Sequence, residues 1–380
     1  MAELHLVTAE YPPQPGGVSD YVRGVAAGLA AAGERVHVWC PPAAGAQPDD
    51  PGVEVHRELG RISRADLRRV GALLDGFPAP RRLLVQWVPH AYGRRAMNLG
   101  FCLWVRERAA RGDRVEIMVH EPFLAFGGSA RQGVVAAVHR AMTVVLLGAA
   151  ERVWVSTPAW AERWRKYRLG PAIPFEWTPI PSNVPVRDDP GGVYAVRASY
   201  ARARRWLLGH FGTYRANVTE LLEPILVGAL AGRPDRAVLL VGHGGAEFRE
   251  KLLARHPDLY PRVRAPGALS PAGLSLHLAA CDLLVQPYPD GANGRQTSLA
   301  ACLEHGKAVV TTEGPSTEGV WRESGAVAMA PVADAGAAVG RVDRLLADDA
   351  ERERLGAAAK RLYDERFHLR HTIEALTRES

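Results

Sequence analysis

The feature that most limits what this chain can fold into is an alternation of strand-like apolar runs with helical patterns. The runs in the first half are LHLVTA, RVHVWC, VEVH, RLLVQW, VEIMVH and ERVWVS. Alternation of this kind specifies a mainly parallel sheet with helices on both faces. Proline, glycine and charge interrupt it between residues 179 and 206, and it then resumes with WLLGHF, AVLLVG and DLLVQP. The sequence therefore predicts an α/β fold of two doubly wound, Rossmann-like domains that face each other across a cleft.

The length of the chain also favours two domains. It has 380 residues, whereas a single hydrophobic core stops growing at about 250–300 residues. We predict an N-terminal Rossmann-like domain over residues 1–205 and a second one over residues 206–365. Residues 366–380 have helical periodicity, and we expect that helix to pack back toward the N-terminal domain.

Composition indicates a soluble globular protein, because 47% of the residues are hydrophobic and 23% are charged. No apolar run reaches the about 18 residues that a membrane span needs, and the N-terminus lacks the features of an export signal. The cysteines are far apart, and neither they nor the histidines show metal-site spacing. We therefore expect a cytoplasmic protein with reduced thiols and no metal site.

The net charge of +6 is spread along the chain. Diffuse positive charge suits small anionic ligands and permits weak peripheral contact with an acidic membrane surface. It argues against nucleic acid as a partner, because nucleic-acid binding requires clustered basic residues.

The segment Asp282–Gly314 predicts a strand, a glycine-bearing loop, a helix that begins near Thr297 and Ser298, and a second strand. A helix N-terminus presents free N–H groups and a positive dipole end, which together favour phosphate. Gly294 allows close backbone approach and Arg295 adds a cation. An ordinary strand-to-helix turn is the alternative interpretation.

Two further strand-end loops lie in the second half. HFGTYR places Gly212, Thr213 and Arg215 after a strand, and a guanidinium group can hold two phosphate oxygens at once. VGHGG places Gly242 and Gly244 after the next strand, where their backbone could line a base or ribose pocket. A surface turn is an equally good interpretation of the second loop.

In the first half, Gly16 and Gly17 lie between the first strand and a helix, where a ligand could approach the backbone. The loop lacks the G-x-G-x-x-G spacing of dinucleotide-binding proteins, which weakens a dehydrogenase interpretation. His120 and Glu121 close the strand VEIMVH at the edge where ligands of open α/β sheets bind. His90 occupies a similar position, beside aromatic residues that form either a stacking surface or part of the core.

In their order these segments resemble the retaining glycosyltransferases with the GT-B fold, sequence family four, also called glycosyl transferases group 1. The resemblance covers nearly the whole chain and rests on EYPPQPGGVSDYV, the strand that ends in His120, VSTPAW, IPSNVP, HFGTYR, VGHGG, and CDLLVQPY through EHGKAVVTT. It implies a metal-independent transferase that needs no cofactor. The C-terminal domain would bind a nucleotide-diphosphate sugar, and the N-terminal domain would bind a small-molecule, natural-product, lipid-linked or polysaccharide acceptor.

The chain departs from this family at two positions. The family pattern of a glutamate, seven residues and a second glutamate falls on Asn293 and Ala301. An amide can hydrogen-bond a sugar hydroxyl but cannot stabilise developing positive charge as a carboxylate does. The resemblance implies that Asn293 positions the sugar and that Glu304, one helical turn beyond Ala301, substitutes for the second glutamate. The family's lysine position holds Asn217 or Val218, and Arg295 would supply the missing charge.

The resemblance implies three groups of site residues. His120 and Asn293 would be catalytic. The donor-binding residues would be Gly212, Thr213, Arg215, Gly242, Gly244, Gly294, Arg295, Gln296, Thr297, Ser298 and Glu304, and the acceptor-binding residues would be Gly16, Gly17, Tyr21, His90 and Glu121. Two alternatives remain open: a GT-B protein that has lost catalysis and binds a ligand or partner, and a sugar-nucleotide epimerase or hydrolase.

Overall fold

The structure is a computed structural model that describes residues 3–45, 49–93, 96–201 and 204–378. Residues 1, 2, 379 and 380, at the outer ends of the predicted domains, lie outside the described residues. The strands are β1 (Leu4–Val7), β2 (Val36–Trp39), β3 (Val53–His56), β4 (Arg82–Trp87), β5 (Arg114–Val119), β6 (Arg152–Val155), β7 (Phe175–Trp177), β8 (Trp206–Phe211), β9 (Arg236–Val241), β10 (Val263–Arg264), β11 (Leu283–Gln286), β12 (Val309–Glu313) and β13 (Ala328–Pro331).

The helices follow the strands in the expected alternation. They are α1 (Gly17–Ala31), α2 (Arg64–Leu74), α3 (Leu99–Ala110), α4 (Ala130–Ala149), α5 (Pro158–Arg165), α6 (Pro190–Tyr200), α7 (Ala216–Leu230), α8 (Gly245–Arg255), α9 (Pro271–Ala280), α10 (Thr297–Glu304), α11 (Gly319–Glu323), α12 (Ala335–Ala347), α13 (Asp349–Leu362) and α14 (Leu369–Thr377). A short 3₁₀ turn (Pro257–Leu259) precedes β10, and a π-helical turn (Tyr363–Phe367) follows α13.

The chain forms two compact units, each built on one parallel sheet. The first unit comprises Met1–Pro179 with Leu369–Ser380, and the second comprises Ile180–His368. The first sheet has the strand order β3-β2-β1-β4-β5-β6-β7, and the second has the order β10-β9-β8-β11-β12-β13. Both sheets are doubly wound, which confirms the predicted fold class. Their strand order reverses between β1 and β4 and between β8 and β11, where ligands of such sheets bind.

The division between the units differs from the predicted boundary at residues 205 and 206. It falls at Pro179, because the following segment packs entirely on the second unit. The Ile180 N–H donates to the Gly294 carbonyl oxygen at 2.7 Å, and an Arg197 guanidinium nitrogen donates to Asp282 Oδ2 at 2.9 Å. The proline and glycine residues after 179 therefore lie in a segment that packs on the second unit and includes helix α6. They do not form a linker that extends to residue 205.

The first unit is completed by α14, which packs on α1. The Leu369 and Ile373 side chains lie against Gly24 and Gly28, where the absence of side chains lets the two helices approach closely. A nitrogen of the buried Arg82 guanidinium donates to the carbonyl oxygen of Leu376 at 2.6 Å. The helix predicted over residues 366–380 thus begins three residues later and belongs with the N-terminal unit.

Arg82 is one end of a buried charge network. It donates to both carboxylate oxygens of Glu116, and Trp154 Nε1 donates to Glu116 Oε2 at 2.7 Å. Each charge in this group is paired and hydrogen-bonded, as a buried charge must be if its burial is not to destabilise the fold. The network joins β4, β5 and β6 to α14.

One helix differs from the expectation for membrane segments. By length and composition alone, α4 is long and apolar enough to cross a membrane. The sequence predicted no such segment, because no apolar run reaches the about 18 residues that a membrane span needs. In the structure α4 packs against α3, and its Met142 and Leu146 side chains belong to the hydrophobic core of the first unit. The test also selects core helices, and 39% of the apolar window of α4 is buried inside the structure.

We expect Gly28→Leu to destabilise the protein by about 1–3 kcal/mol, the usual effect of overpacking a close contact. A Cβ at position 28 would lie 2.8 Å from Ile373 Cδ1, so the larger side chain must push α14 away. Urea unfolding of this variant and of Gly148→Leu makes the comparison. Gly148 is an exposed residue of α4 that has open space at its Cβ among the described residues. Equal stability of both variants would contradict the packing of α14 on α1.

Candidate functional site

A pocket of about 230 Å³ lies at the carboxyl ends of β8 and β11, where the strand order of the second sheet reverses. Its described lining comes from the loops after β8 and β11 and from the first residues of α7 and α10. The lining residues are His210, Phe211, Gly212, Thr213, Arg215, Asn217, Val218, Gln286, Tyr288, Pro289, Asp290, Arg295, Gln296 and Ser298.

Six of the residues predicted to bind a donor line this pocket together. They are Gly212, Thr213, Arg215, Arg295, Gln296 and Ser298. Two separate sequence motifs, HFGTYR and the loop after β11, thus meet at one place. Thr297 is the first residue of α10, as predicted, and lies between two residues of the lining.

Backbone geometry brings the loops after β8 and β9 into contact. Gly242 has a φ of 116°, and a Cβ at this position would lie 2.2 Å from the Gly212 carbonyl oxygen. Only glycine allows this approach, because both the backbone conformation and the contact exclude a side chain. Gly212 in turn lies next to Ser298, whose Oγ would be 3.6 Å from a Cβ on Gly212. These close contacts bring the β8 loop against α10.

Positive charge surrounds the pocket. Arg215 is exposed and precedes the first residue of α7, and Arg295 lies on the loop before α10. The N-termini of α7 and α10 both lie at the pocket, so two helix dipoles add positive potential to the two guanidinium groups. Asp290, with Oδ2 3.6 Å from a guanidinium nitrogen of Arg295, also lines the pocket. Asn217 and Val218, where the resemblance implied a lysine, line the pocket and contribute no charge.

The sequence analysis did not select two buried polar residues that line the pocket. The His210 Nδ1–H donates to the Val285 carbonyl oxygen at 2.8 Å, which leaves Nε2 as a hydrogen-bond acceptor. Burial lowers the pKa of His210 to about 4, so the ring is neutral at physiological pH. Gln286 donates from Nε2 to the Cys302 sulfur. His210 Nε2 and Gln286 Oε1 are both buried without a hydrogen-bond partner among the described residues.

Such unsatisfied acceptors destabilise a fold unless a ligand or water supplies a donor. Both residues are the polar members of otherwise apolar strands, WLLGHF and LLVQ. A polar residue at the carboxyl end of a buried strand is the signal from which the sequence could have found them.

A second pocket of about 300 Å³ adjoins the first, and Phe211 lines both. It contains Gly242 and Gly244, which were predicted to line a base or ribose pocket. The rest of its described lining is mostly apolar: Val241, His243, Ala246, Gly267, Ala268, Leu269 and Leu274. An apolar cavity beside a cationic one suits a ligand with a flat ring at one end and charge at the other.

Asn293 and Gly294 hold the loop before α10 together. Asn293 is buried, its Nδ2 donates to the Gly291 carbonyl oxygen at 3.2 Å, and its Oδ1 accepts from the Arg295 N–H at 3.2 Å. The Gly294 N–H donates to both carboxylate oxygens of Glu318, at 3.0 and 3.1 Å. The described lining of the pocket includes neither residue, so the structure does not bring the predicted catalytic Asn293 to the cavity.

The structure also places Glu304 away from the pocket. It lies at the end of α10, and its carboxylate interacts with Ser182 and with Tyr363 of the π-helical turn. Burial raises the pKa of Glu304. The sequence analysis expected Glu304 to lie on the same face as position 301. Ala301, however, is fully buried, so that face of the helix is directed into the unit.

In the first unit, the three neighbouring strands β1, β4 and β5 are each followed by a polar residue. Glu10 follows β1, His90 follows β4 and Glu121 follows β5. His90 Nδ1 lies 3.1 Å from Glu121 Oε2. Burial raises the pKa of Glu10, on which both His90 and Glu121 act electrostatically. Gly16 lies beside this group, because a Cβ there would be 2.8 Å from Glu10 Oε2.

The other predicted residues of this unit separate into surface and core. Gly17 is the first residue of α1, and nothing among the described residues lies within 4 Å of a Cβ built there. His120 is half-buried, and its Nε2 lies 2.8 Å from Gln86 Oε1. Burial lowers its pKa to about 3. Tyr21 packs edge-on against His120 but directs its hydroxyl toward Met118 in the core, so it does not face a ligand.

The aromatic residues beside His90 are core residues. Trp87 and Tyr92 are fully buried, and their rings stack on each other with centroids 5.4 Å apart. The Tyr92 hydroxyl donates to the carbonyl oxygen of Gln86 at 2.8 Å. Of the two interpretations that the sequence left open, the structure supports the core and not a stacking surface for a ligand.

No family model and no curated protein matches the chain. Solved structures do match over its whole length. Sucrose-phosphate synthase from Thermosynechococcus elongatus has a TM-score of 0.74 and 16% identity, over 100% of this chain and 98% of that chain. HepE from Anabaena in complex with UDP-glucose has a TM-score of 0.70 and 15% identity, over 99% of this chain and 100% of that chain.

A third similar structure is an alpha,alpha-trehalose-phosphate synthase (UDP-forming) from Burkholderia xenovorans in complex with glucose-6-phosphate. Its TM-score is 0.69 with 12% identity, over 100% of this chain and 99% of that chain. The chain has the GT-B fold. At these identities the similarity establishes the fold alone. The second GT-B unit carries the cationic pocket, and the first carries the Glu10, His90 and Glu121 group.

We expect His210 to make the stability of the protein depend on pH. Between its ordinary pKa of 6.5 and its folded value of about 4, the unfolded chain binds a proton that the folded chain does not. Stability must therefore fall as the pH falls through this range, by about 2 kcal/mol between neutral pH and about pH 5. His210→Asn keeps a donor for the Val285 carbonyl oxygen but has no ring to protonate. Urea unfolding at both pH values should therefore show that this variant loses about 2 kcal/mol less stability than the parent protein.

The matched control is His256→Asn, which replaces a partly exposed histidine beside Glu223 on the same unit. It should leave the pH dependence close to that of the parent protein. If His210→Asn also leaves it unchanged, the ring of His210 is not held neutral by burial.

Proposed function

We propose that this protein is a glycosyltransferase that moves a sugar from a nucleotide-diphosphate sugar to an acceptor, with retention of anomeric configuration. The observation that carries the proposal is the pocket at the strand reversal of the second unit. There Arg215, Arg295 and the N-termini of α7 and α10 converge. A site with this concentration of positive charge fits a pyrophosphate group.

The same positive charge accounts for catalysis of the bond cleavage. When the glycosidic bond breaks, its electron pair moves to the diphosphate, which leaves with an additional negative charge. Arg215 and Arg295 stabilise that charge as it develops, and fixed groups of this kind need no reorganisation at the moment of reaction. We propose that they take the role that a metal ion plays in other transferases, so that the reaction needs neither a metal nor another cofactor.

The adjoining apolar pocket would hold the base. Phe211 lines both pockets, so a nucleotide with its diphosphate beside Arg215 can place its ring between the Gly242 loop and Leu269. Uracil is the base we propose, because HepE is similar in structure and its complexes contain UDP and UDP-glucose. The identity of the base is the part of this proposal that a binding measurement settles most easily.

The sugar would be held by neutral acceptors. His210 Nε2 and Gln286 Oε1 are buried at the pocket without partners among the described residues, and sugar hydroxyls are donors that satisfy them. We limit the role of Asn293 to shaping the loop, because a direct contact with sugar would break its bonds to Gly291 and Arg295. The site would thus bind the sugar without the two carboxylates of the family pattern.

The acceptor would bind to the first unit, at Gly16, Gly17, Glu10, His90 and Glu121. Two carboxylates with an imidazole accept hydrogen bonds from hydroxyl groups, which suits a sugar or another hydroxylated acceptor. His120 would add a further acceptor. Its ring is neutral and Nε2–H donates to Gln86 Oε1, which leaves the lone pair on Nδ1. The chemistry of these groups is compatible with a small-molecule, lipid-linked or polysaccharide acceptor.

We place the protein in the cytoplasm. Cys40, Cys102, Cys281 and Cys302 are all buried free thiols, as expected in a reducing compartment. A net charge of +6 would add weak attraction to an acidic membrane surface if the acceptor is lipid-linked.

Calorimetric titration of UDP, GDP, ADP and dTDP tests donor binding. We expect UDP to bind, and we expect Arg215→Ala and Arg295→Ala each to weaken that binding by about 10- to 100-fold, the effect of removing a hydrogen bond to a charged group. Arg341→Ala is the control, because Arg341 is an exposed arginine of α12 in the same unit. Unchanged affinity in both pocket variants would contradict the pyrophosphate site.

A turnover assay with UDP-sugars and candidate acceptors distinguishes the remaining possibilities. Sugar transfer that requires an acceptor supports the transferase. Loss of the donor without any acceptor indicates a hydrolase or an epimerase. Binding of UDP without turnover, across a panel of sugars and hydroxylated acceptors, indicates a protein that has lost catalysis with its carboxylates.

A further inference from the structure

A cluster of side chains of the types that ligate metals lies in the first unit, on β2 and β3 at the outer edge of the sheet. It consists of His37, Glu54 and His56. His37 pairs with Glu54 across the two strands, and His56 lies two residues beyond Glu54 on the same face. None of the three belongs to the residues of the candidate site. The inference therefore stands or falls independently of the proposed function.

Each of the three side chains has a ligand atom in the same small region, and these atoms all lie within 4.8 Å of one another. His37 Nδ1 lies 3.1 Å from His56 Nε2 and 3.3 Å from Glu54 Oε2, and His56 Nε2 lies 3.5 Å from Glu54 Oε1. In a tetrahedral zinc site with bonds of about 2.0–2.2 Å, neighbouring ligand atoms are about 3.3–3.6 Å apart. Glu54 offers Oε2 to His37 and Oε1 to His56, and both contacts, like the one between the two nitrogens, are close to the spacing of ligand atoms around one zinc ion.

The surrounding residues hold the imidazole rings in this orientation. His37 turns its other nitrogen, Nε2, toward Glu3 Oε2 at 3.6 Å. That oxygen is buried and without a hydrogen-bond partner among the described residues. A carboxylate behind a metal-bound histidine is the usual arrangement, because it fixes the tautomer and raises the basicity of the ligand nitrogen. Trp39 stacks on His56 with ring centroids 4.1 Å apart.

The neutral form of the cluster leaves one contact repulsive. A single proton between His37 Nδ1 and His56 Nε2 leaves one nitrogen with a lone pair, and this lone pair and the Glu54 carboxylate repel each other. The Glu54 side chain is 64% exposed and could turn into solvent, yet it lies against both nitrogens. Either a second proton or a metal ion removes the repulsion, and a metal ion uses all three residues as ligands.

We propose that His37, Glu54 and His56 bind a divalent transition metal of the zinc type, with the fourth position open to solvent. Two imidazole nitrogens and one carboxylate are ligands for zinc and its neighbours, whereas magnesium and calcium prefer oxygen ligands alone. The metal joins the outermost strand β3 to β2 and so stabilises the edge of the first sheet. The sequence analysis predicted no metal site, because the ligands come from two strands and no cysteine pair marks them.

Zinc titration of the metal-free protein, prepared with a chelator, tests this site. We expect one zinc ion to bind per chain with micromolar affinity or tighter, and to raise the melting temperature. Cobalt(II) at the same site should show the intense visible absorption of tetrahedral coordination. Glu54→Gln and His56→Gln should each weaken zinc binding at least 10-fold and abolish the rise in melting temperature. Glu54 is exposed, so its variant tests the site even if His56→Gln folds poorly.

The control is His256→Gln, which alters a partly exposed histidine 3.3 Å from Glu223 on the second unit. It should bind zinc as the parent protein does. Two results would overturn the proposal. One is no zinc binding below 0.1 mM. The other is zinc binding that Glu54→Gln and His256→Gln weaken equally, which would show that zinc binds to scattered surface histidines. Neither result bears on nucleotide binding by the second unit.

Discussion

The reversal of strand order between β8 and β11 is the constraint on which the candidate donor site depends. Chain connections leave the sheet in opposite directions from these two strands, so a crevice opens at their carboxyl ends. The close approach of Gly242 to Gly212 brings the neighbouring loop to the same edge. Because α7 and α10 both start there, a purely topological feature concentrates the positive ends of two helices at one pocket. Arg215 and Arg295 then add formal charge to a place that the backbone has already made favourable for anions.

Features set by local pattern could be predicted from the sequence. Strands buried on both faces are mostly apolar along their length, which is why the alternation of apolar runs predicted both doubly wound sheets. The start of α10 at Thr297 was also correct, because a polar loop meets a short amphipathic run there. The boundary between the units was predicted too late. Proline and glycine mark a change in chain direction, whereas the unit to which α6 belongs is decided by its contacts.

The direction of individual side chains could not be predicted, because packing and hydrogen bonding decide it. Asn293 and Glu304 are close in sequence to residues that line the pocket. Asn293, however, hydrogen-bonds within its own loop, and Glu304 is directed at the π-helical turn. Tyr21 likewise lies in the core. Conversely, His210 and Gln286 looked like minor interruptions of apolar strands, but their unpaired acceptor atoms lie at the pocket. The pocket therefore combines arginine side chains with neutral acceptors, a balance of charge that suits the proposed diphosphate and sugar hydroxyls.

Hydrogen exchange of the protein with and without UDP tests most directly whether the pocket at the strand reversal is the nucleotide site. We expect slower exchange on binding at two separate segments, residues 211–218 and 288–298, with a smaller effect near residues 242–246. We expect no change over residues 36–45 and 49–56 of the first unit. Protection confined to other parts of the chain, or no protection at saturating UDP, would show that UDP does not bind at the strand reversal.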